Sequence, residues 1–238
     1  MYYYYGFDPT YILVIIGIII IMWAQGKMKT TFTKYSRVRS MSGMTGQEVA
    51  RRILMANGIF DVTVEPVAGQ LTDHYDPRSK VVKLSEVIYN STSVAAVGVA
   101  AHECGHAIQD NQEYLPLRLR SAIVPVANLG STLSWPMILI GIFLWSAGSY
   151  IGYSLVSIGI LCFSFAVLFQ LMTLPVEFDA SRRALRQLSV TGILPPEEQQ
   201  QTRAVLSAAA LTYVAAAASS MLQLLRLVIL FGGNRRRD

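Results

Sequence analysis

Charged residues are missing from long tracts of this chain of 238 residues, and those tracts set its plan. Tyr11 to Trp23 is almost continuously apolar, with Tyr2 to Tyr5 before it and Trp23 at its end, and such rings suit the two interfaces of a bilayer. No Lys or Arg precedes it and no small-residue cleavage site follows, so it reads as a retained anchor helix and not a cleavable signal. Between Ser121 and Val176 there is no Asp, Glu, Lys or Arg, which is enough chain for two spans of about 20 residues each. Ser146 to Tyr153, rich in Gly and Ser, is the expected turn between them. Pro125 and Pro136 predict a kink in the first arm or a start after Pro125. The last apolar stretch, Ala204 to Leu225, is rich in alanine, which forms helix well but is weakly lipophilic. Its pattern leaves open a span, an interfacial helix or a helix packed on the polar part.

The polar chain falls into two pieces, Lys27 to Arg120 and Thr173 to Arg203, brought together by the hairpin. Thr45-Gly-Gln-Glu48 before Val49, Ile53 and Leu54 predicts a capped helix ending at Asn57-Gly58. Ile59 to Val67 alternates as a strand does, with Asp61, Thr63 and Glu65 on one side. Asp76-Pro77-Arg78-Ser79 has turn chemistry, and Lys80 to Leu84 returns as a second strand. A helix capped by Ser91 or Ser93 follows, from Val94 to about Gln109. The expected segments are an anchor at 1–26, a polar part at 27–120, a membrane hairpin at 121–173, a polar helix at 174–203 and a final helix at 204–238. The fold class is a mainly α membrane protein, with three or four membrane helices and a small α+β part.

Composition agrees, with 53% hydrophobic and 15% charged residues against about 25% charged in soluble domains. Lys27, Lys29, Lys34, Arg37 and Arg39 follow the anchor before the first acid, Glu48, and Arg118, Arg120, Arg182, Arg183 and Arg186 flank the hairpin. The positive-inside tendency therefore puts the polar part in the cytoplasm and the N-terminus outside. Two cysteines, Cys104 and Cys162, far apart and in unlike surroundings, do not make a disulfide framework. The formal charge of +5 has a topological and lipid-facing explanation, and no motif for nucleic acid accompanies it.

The chemistry lies in His102-Glu103-Cys104-Gly105-His106, an H-E-x-x-H arrangement within the expected helix. Two His four residues apart share a helical face, about 5 to 6 Å apart at Cβ, and can grip one zinc. Glu103 then stands beside the metal as a general base for water. Cys104, two residues after His102, points elsewhere and reads as packing. A catalytic zinc needs a third protein ligand and an open position. The metzincin extension is absent, since Gln109 and Gln112 stand in its place, so the third ligand is either His74, the only other histidine, or a carboxylate. Glu177 is the best carboxylate. It follows Pro175 at an expected helix start and shares its face with Ala180, Ser181 and Ala184, whose small side chains permit close approach. Asp179, four before Arg183, reads as a surface pair.

The runs Asp73-His74-Tyr75-Asp76-Pro77 through Leu84-Ser85, Ala100 to Ile108, Pro175-Val176-Glu177-Phe178-Asp179-Ala180 and Ala210-Leu211-Thr212-Tyr213 together resemble the YugP-type family of bacterial membrane neutral zinc metallopeptidases. More distantly they resemble gluzincins of the HtpX and CaaX-endopeptidase kind. The resemblance covers nearly the whole chain and implies Zn2+ on His102, His106 and Glu177, with Glu103 as base. It departs at Ser181, where those relatives carry Asp. It also implies that an edge strand before the metal helix holds the substrate, here assigned to the hairpin around Lys80 to Leu84. Gluzincins need a donor to the scissile carbonyl, and His74 and Tyr213 are the candidates.

The resulting expectation is a multi-pass protein of the bacterial plasma membrane, a zinc endopeptidase with its site on the cytoplasmic side. Its partners would be a peptide or membrane-protein substrate and the lipid bilayer. An intramembrane protease is disfavoured, because the apolar part of the metal helix is short for a span and ends before Asp110. The alternative of another class is a non-catalytic zinc-binding sensor or assembly factor, against which Glu103 speaks.

Overall fold

The computed structural model describes residues 8–232. Its elements are α1 (Tyr11–Ser36), α2 (Gly46–Ala56), β1 (Thr63–Val67), β2 (His74–Asp76), β3 (Val81–Ser85), α3 (Glu86–Tyr89), α4 (Val94–Asn111), α5 (Leu115–Ser146), α6 (Tyr150–Val190) and α7 (Pro196–Phe231). Two compact units divide it. Of the described residues, one comprises 8–24, 120–172 and 213–232, the other 25–119 and 173–212. Among the described residues four helices, α1, α5, α6 and α7, are long and apolar enough to cross a membrane, and α4 is not among them.

The polar unit has its core where α2 lies against α4. Val49, Ile53 and Leu54 of α2 pack with Val97, Ala100, Ala101 and Cys104 of α4, with Val82 and Leu84 of β3, and with Ala184 and Leu188 of α6. The caps follow the sequence pattern. The Thr45 amide donates to Glu48 Oε2 at 2.8 Å, Gly58 takes φ +69° after the last turn of α2, and Ser93 Oγ accepts from the Ala96 amide at 3.2 Å. The Asp76 carboxylate holds the turn, accepting from the Arg78 amide at 3.0 Å and the Ser79 hydroxyl at 2.6 Å.

The sheet differs from the expectation in two ways. Its order is β1-β3-β2, with β1 parallel and β2 antiparallel to β3. The strand at Lys80 to Leu84 is therefore the middle one, its backbone groups taken on both sides. The edge open to an added strand in that hairpin belongs to β2. The alternating stretch from Ile59 becomes strand only at Thr63, because Ile59 turns into the core just after Gly58.

In the membrane unit, α5 and α6 approach closely along glycines. A Cβ at Gly152 would lie 2.6 Å from the Gly141 carbonyl oxygen, and one at Gly159 3.0 Å from that of Ser134. Small residues of this kind let helices pack tightly where no hydrophobic effect drives them together. The turn falls at residues 147–149, with Gly148 at φ +83°. α5 starts at Leu115 and runs through Pro125 and Pro136, so the expected late start does not occur. α7 is one helix of 36 residues, and its Arg226 is accommodated. Its guanidinium donates to Thr10 Oγ1 at 3.2 Å, pairs with Asp8 at 3.4 Å and lies 4.2 Å over the Tyr11 ring.

α6 corrects the reading of Pro175 as a helix start. The helix continues through it for 41 residues, so Glu177 sits mid-helix and owes nothing to a helix N-terminus.

Candidate metal centre

His102 and His106 project from one face of α4, and Glu177 faces them from α6. Gly105 permits this: a Cβ there would sit 2.4 Å from the Ala180 carbonyl oxygen, so the two backbones touch where only hydrogen fits. Ala180 and Ala184 are fully buried in the same seam. Glu177 Oε2 lies 3.4 Å from His102 Nε2 and 3.7 Å from His106 Nε2. The three donor atoms all fall within 4.8 Å of one another, and His74 is not part of the group.

The protonation pattern follows from the neighbours. Gln109 is fully buried, and its Nε2 donates to the Val176 carbonyl at 2.9 Å and to Asp179 Oδ2 at 2.9 Å. Both partners only accept, so the amide oxygen is the atom turned to His106 Nδ1, at 3.0 Å. Nδ1 must then carry a hydrogen, which leaves Nε2 of the neutral ring bare and aimed at a carboxylate. His102 Nδ1 meets the Ser181 hydroxyl at 3.1 Å. A bare nitrogen facing a carboxylate oxygen is repulsive unless a proton or cation lies between them. Zinc held at about 2.0 to 2.1 Å brings tetrahedral donors to roughly 3.3 to 3.4 Å of one another; the two separations from Glu177, 3.4 and 3.7 Å, are near that value, and the whole group spans 4.8 Å. The donor set of two imidazole nitrogens and one carboxylate is that of a catalytic zinc site.

Glu103 stands next to His102, only 7% exposed. Burial pushes its carboxyl up to about 7, His102 opposes this, and Glu177 and Asp73 add to it. The Tyr75 backbone is close enough to lower the carboxyl, the smallest of these influences, so β2 passes near Glu103. Tyr75 is itself tied to α4, its hydroxyl donating to Asp110 Oδ2 at 2.8 Å, with Lys80 Nζ on the same oxygen at 2.6 Å. Burial alone would raise the Glu177 carboxyl, but hydrogen bonds and positive charge from His102 and His106, which require a proton or cation between ring and carboxylate, outweigh it and hold the group well below the usual range. It is therefore a charged oxygen donor.

His74 is exposed on β2, one residue from Tyr75, with Nδ1 2.7 Å from the Thr72 carbonyl oxygen. Tyr213 is 43% exposed on α7 and belongs to the membrane unit. Neither joins the three-donor group. Cys104 is fully buried, its thiol 3.5 Å from the Ala50 carbonyl oxygen, as packing requires. Asp179 is not a surface pair: it is bound by Arg183, is half-buried and anchors Gln109. Sequence reasoning missed this Arg183–Asp179–Gln109–His106 chain. The only signal was that Gln109 follows His106 by three, one helical turn on.

The family model described as "Putative neutral zinc metallopeptidase" matches residues 10–232. "Putative membrane protease YugP" of Bacillus subtilis (strain 168) is 50% identical over 173 residues, covering 72% of this chain and 74% of its own length. No solved structure matches.

Proposed function

The chain belongs to the neutral zinc metallopeptidase family, and from that premise we propose that it is a membrane-anchored zinc endopeptidase of the gluzincin type. The observation that carries this reading is the group of His102, His106 and Glu177, with the Nε2 atoms of both histidines facing one carboxylate oxygen beside Glu103. His102, His106 and Glu177 would hold the zinc. When bound, it supplies Lewis acidity, acidifying water and polarising a carbonyl. Glu103 takes the proton of the attacking water and hands it to the leaving amine; its raised carboxyl suits both directions of transfer at neutral pH. The open edge of β2 pairs with an extended peptide, and His74 and Tyr213 are the candidate donors to its scissile carbonyl. The site works on the cytoplasmic side of a bacterial plasma membrane, on peptides or membrane-protein segments; the Lys and Arg clustered next to the apolar tracts support this side.

Zinc per chain in the detergent-purified protein tests the reading. About one zinc is expected in the parent, much less in Glu177→Ala, and full retention in Glu103→Gln with all cleavage lost. A parent that binds no zinc after reconstitution would sink the proposal, and a Glu103→Gln protein indistinguishable from the parent would favour a zinc-bearing scaffold.

A further inference from the structure

A groove of about 570 Å³ runs between α6 and α7 in the polar unit, within the range of ligand sites. Leu185, Leu206 and Phe178 give it an apolar lining. Three exposed guanidinium groups line it: Arg182 and Arg186, one turn apart on α6, and Arg203 from α7. None of the three lies within ion-pair distance of a carboxylate among the described residues. The positive-inside tendency accounts for arginines near membrane segments, but not for two helices turning theirs into one groove. The groove reaches the metal centre at Ser181, which lines it and whose hydroxyl meets His102.

We propose that this groove is a substrate subsite for an acidic stretch of polypeptide, whose carboxylates pair with Arg182, Arg186 and Arg203 while its apolar side chains lie on Leu185 and Leu206. This names a substrate class for the endopeptidase and rests on that reading. The polar groups favour a peptide over a lipid headgroup. Ser181, Ser189, Gln199 and Ser207 line the groove beside the cations, uncharged donors and acceptors of the kind a polypeptide backbone can use. A headgroup instead wants clustered cations and an unbroken apolar track.

The test uses the full chain in detergent with quenched-fluorescence peptides that share one apolar centre and carry Glu, Gln or Lys flanks. Parent kcat/KM is expected to favour Glu over Lys flanks by about tenfold, since each exposed pair is worth little alone. Raised salt should shrink the ratio, and Arg182→Glu/Arg186→Glu/Arg203→Glu should invert it. Arg203→Gln alone, at an exposed site, should lower it in a chain that still folds. Cleavage with no flank preference, or a preference untouched by these variants, overturns the subsite. Binding is measured separately in the Glu103→Gln background, by anisotropy of a fluorescein-labelled Glu-flanked peptide. Binding that is lost on Arg182→Gln/Arg186→Gln/Arg203→Gln supports the groove even where the parent cleaves nothing, a result that would remove the endopeptidase reading alone. Arginine variants that keep peptide binding but lose association with phosphatidylglycerol vesicles would make it a headgroup site and overturn the proposal.

Discussion

At the scale of single residues, the buried amide of Gln109 is the least replaceable support of the metal centre. It alone faces His106 Nδ1 with an acceptor while satisfying Val176 and Asp179 with donors. Gln109→Leu keeps the volume but lets the His106 ring turn, and should weaken zinc binding by about 10- to 100-fold in a chelator competition. Glu103 predicts two pH effects. As a base it works only when deprotonated, so kcat/KM should fall on the acid side, at a pH that bound zinc moves below the metal-free carboxyl's value of about 7. In the metal-free protein its raised carboxyl means that the folded state holds a proton the unfolded state has already released. Stability should then decline as pH rises from 4.5 to about 7. Thermal unfolding of metal-free Glu103→Gln should lack that component. The two histidines and their base were legible because H-E-x-x-H is a local geometric pattern. Gln109 was not, because an amide reveals its use only through the carbonyl and carboxylate that another helix brings to it.

Among the elements, the α4–α6 seam is the sensitive one. Gly105→Ala drives a methyl into the Ala180 carbonyl. Overpacking of this kind costs about 1 to 3 kcal/mol, and here it also spreads the two helices that share the ligands. The expected result is a lower Tm together with weaker zinc retention, both reduced further by Gly105→Val. Thr45→Ala, which removes the hydroxyl's bond to Glu48 in the α2 cap, should cost about 0.5 to 2 kcal/mol and leave zinc binding as it was. The caps of α2 and α4 were readable because capping is written in three or four adjacent residues. The sheet order was not. β2 has three residues, too few for a periodic signature, and β1 pairs with β3 across it. Pro175 misled for a related reason. Proline normally marks a helix start, yet within a long apolar helix its missing donor is tolerated where neighbours resatisfy the backbone.

For the whole molecule, the arrangement of apolar tracts and arginines predicts which surfaces a membrane-impermeant reagent reaches. With Cys162 replaced by Ala and Cys104 buried, a cysteine at Ala147 should be labelled by an impermeant maleimide in intact cells. One at Arg78 should be labelled only after lysis. The reverse pattern would move the metal centre to the outer face. The continuity of α6 carries one further consequence, which concerns time rather than space. The chain emerges from the ribosome with His102, Glu103 and His106 well before Glu177; the comparable contact between Gln109 and Asp179 spans 70 positions. At roughly 5 to 20 residues per second, several seconds of synthesis separate the two halves of the centre, and the intervening chain is the apolar hairpin. A nascent protein whose hairpin has not been delivered to the bilayer therefore holds two imidazoles without their carboxylate. The three donors would then come together only once the hairpin lies in the bilayer.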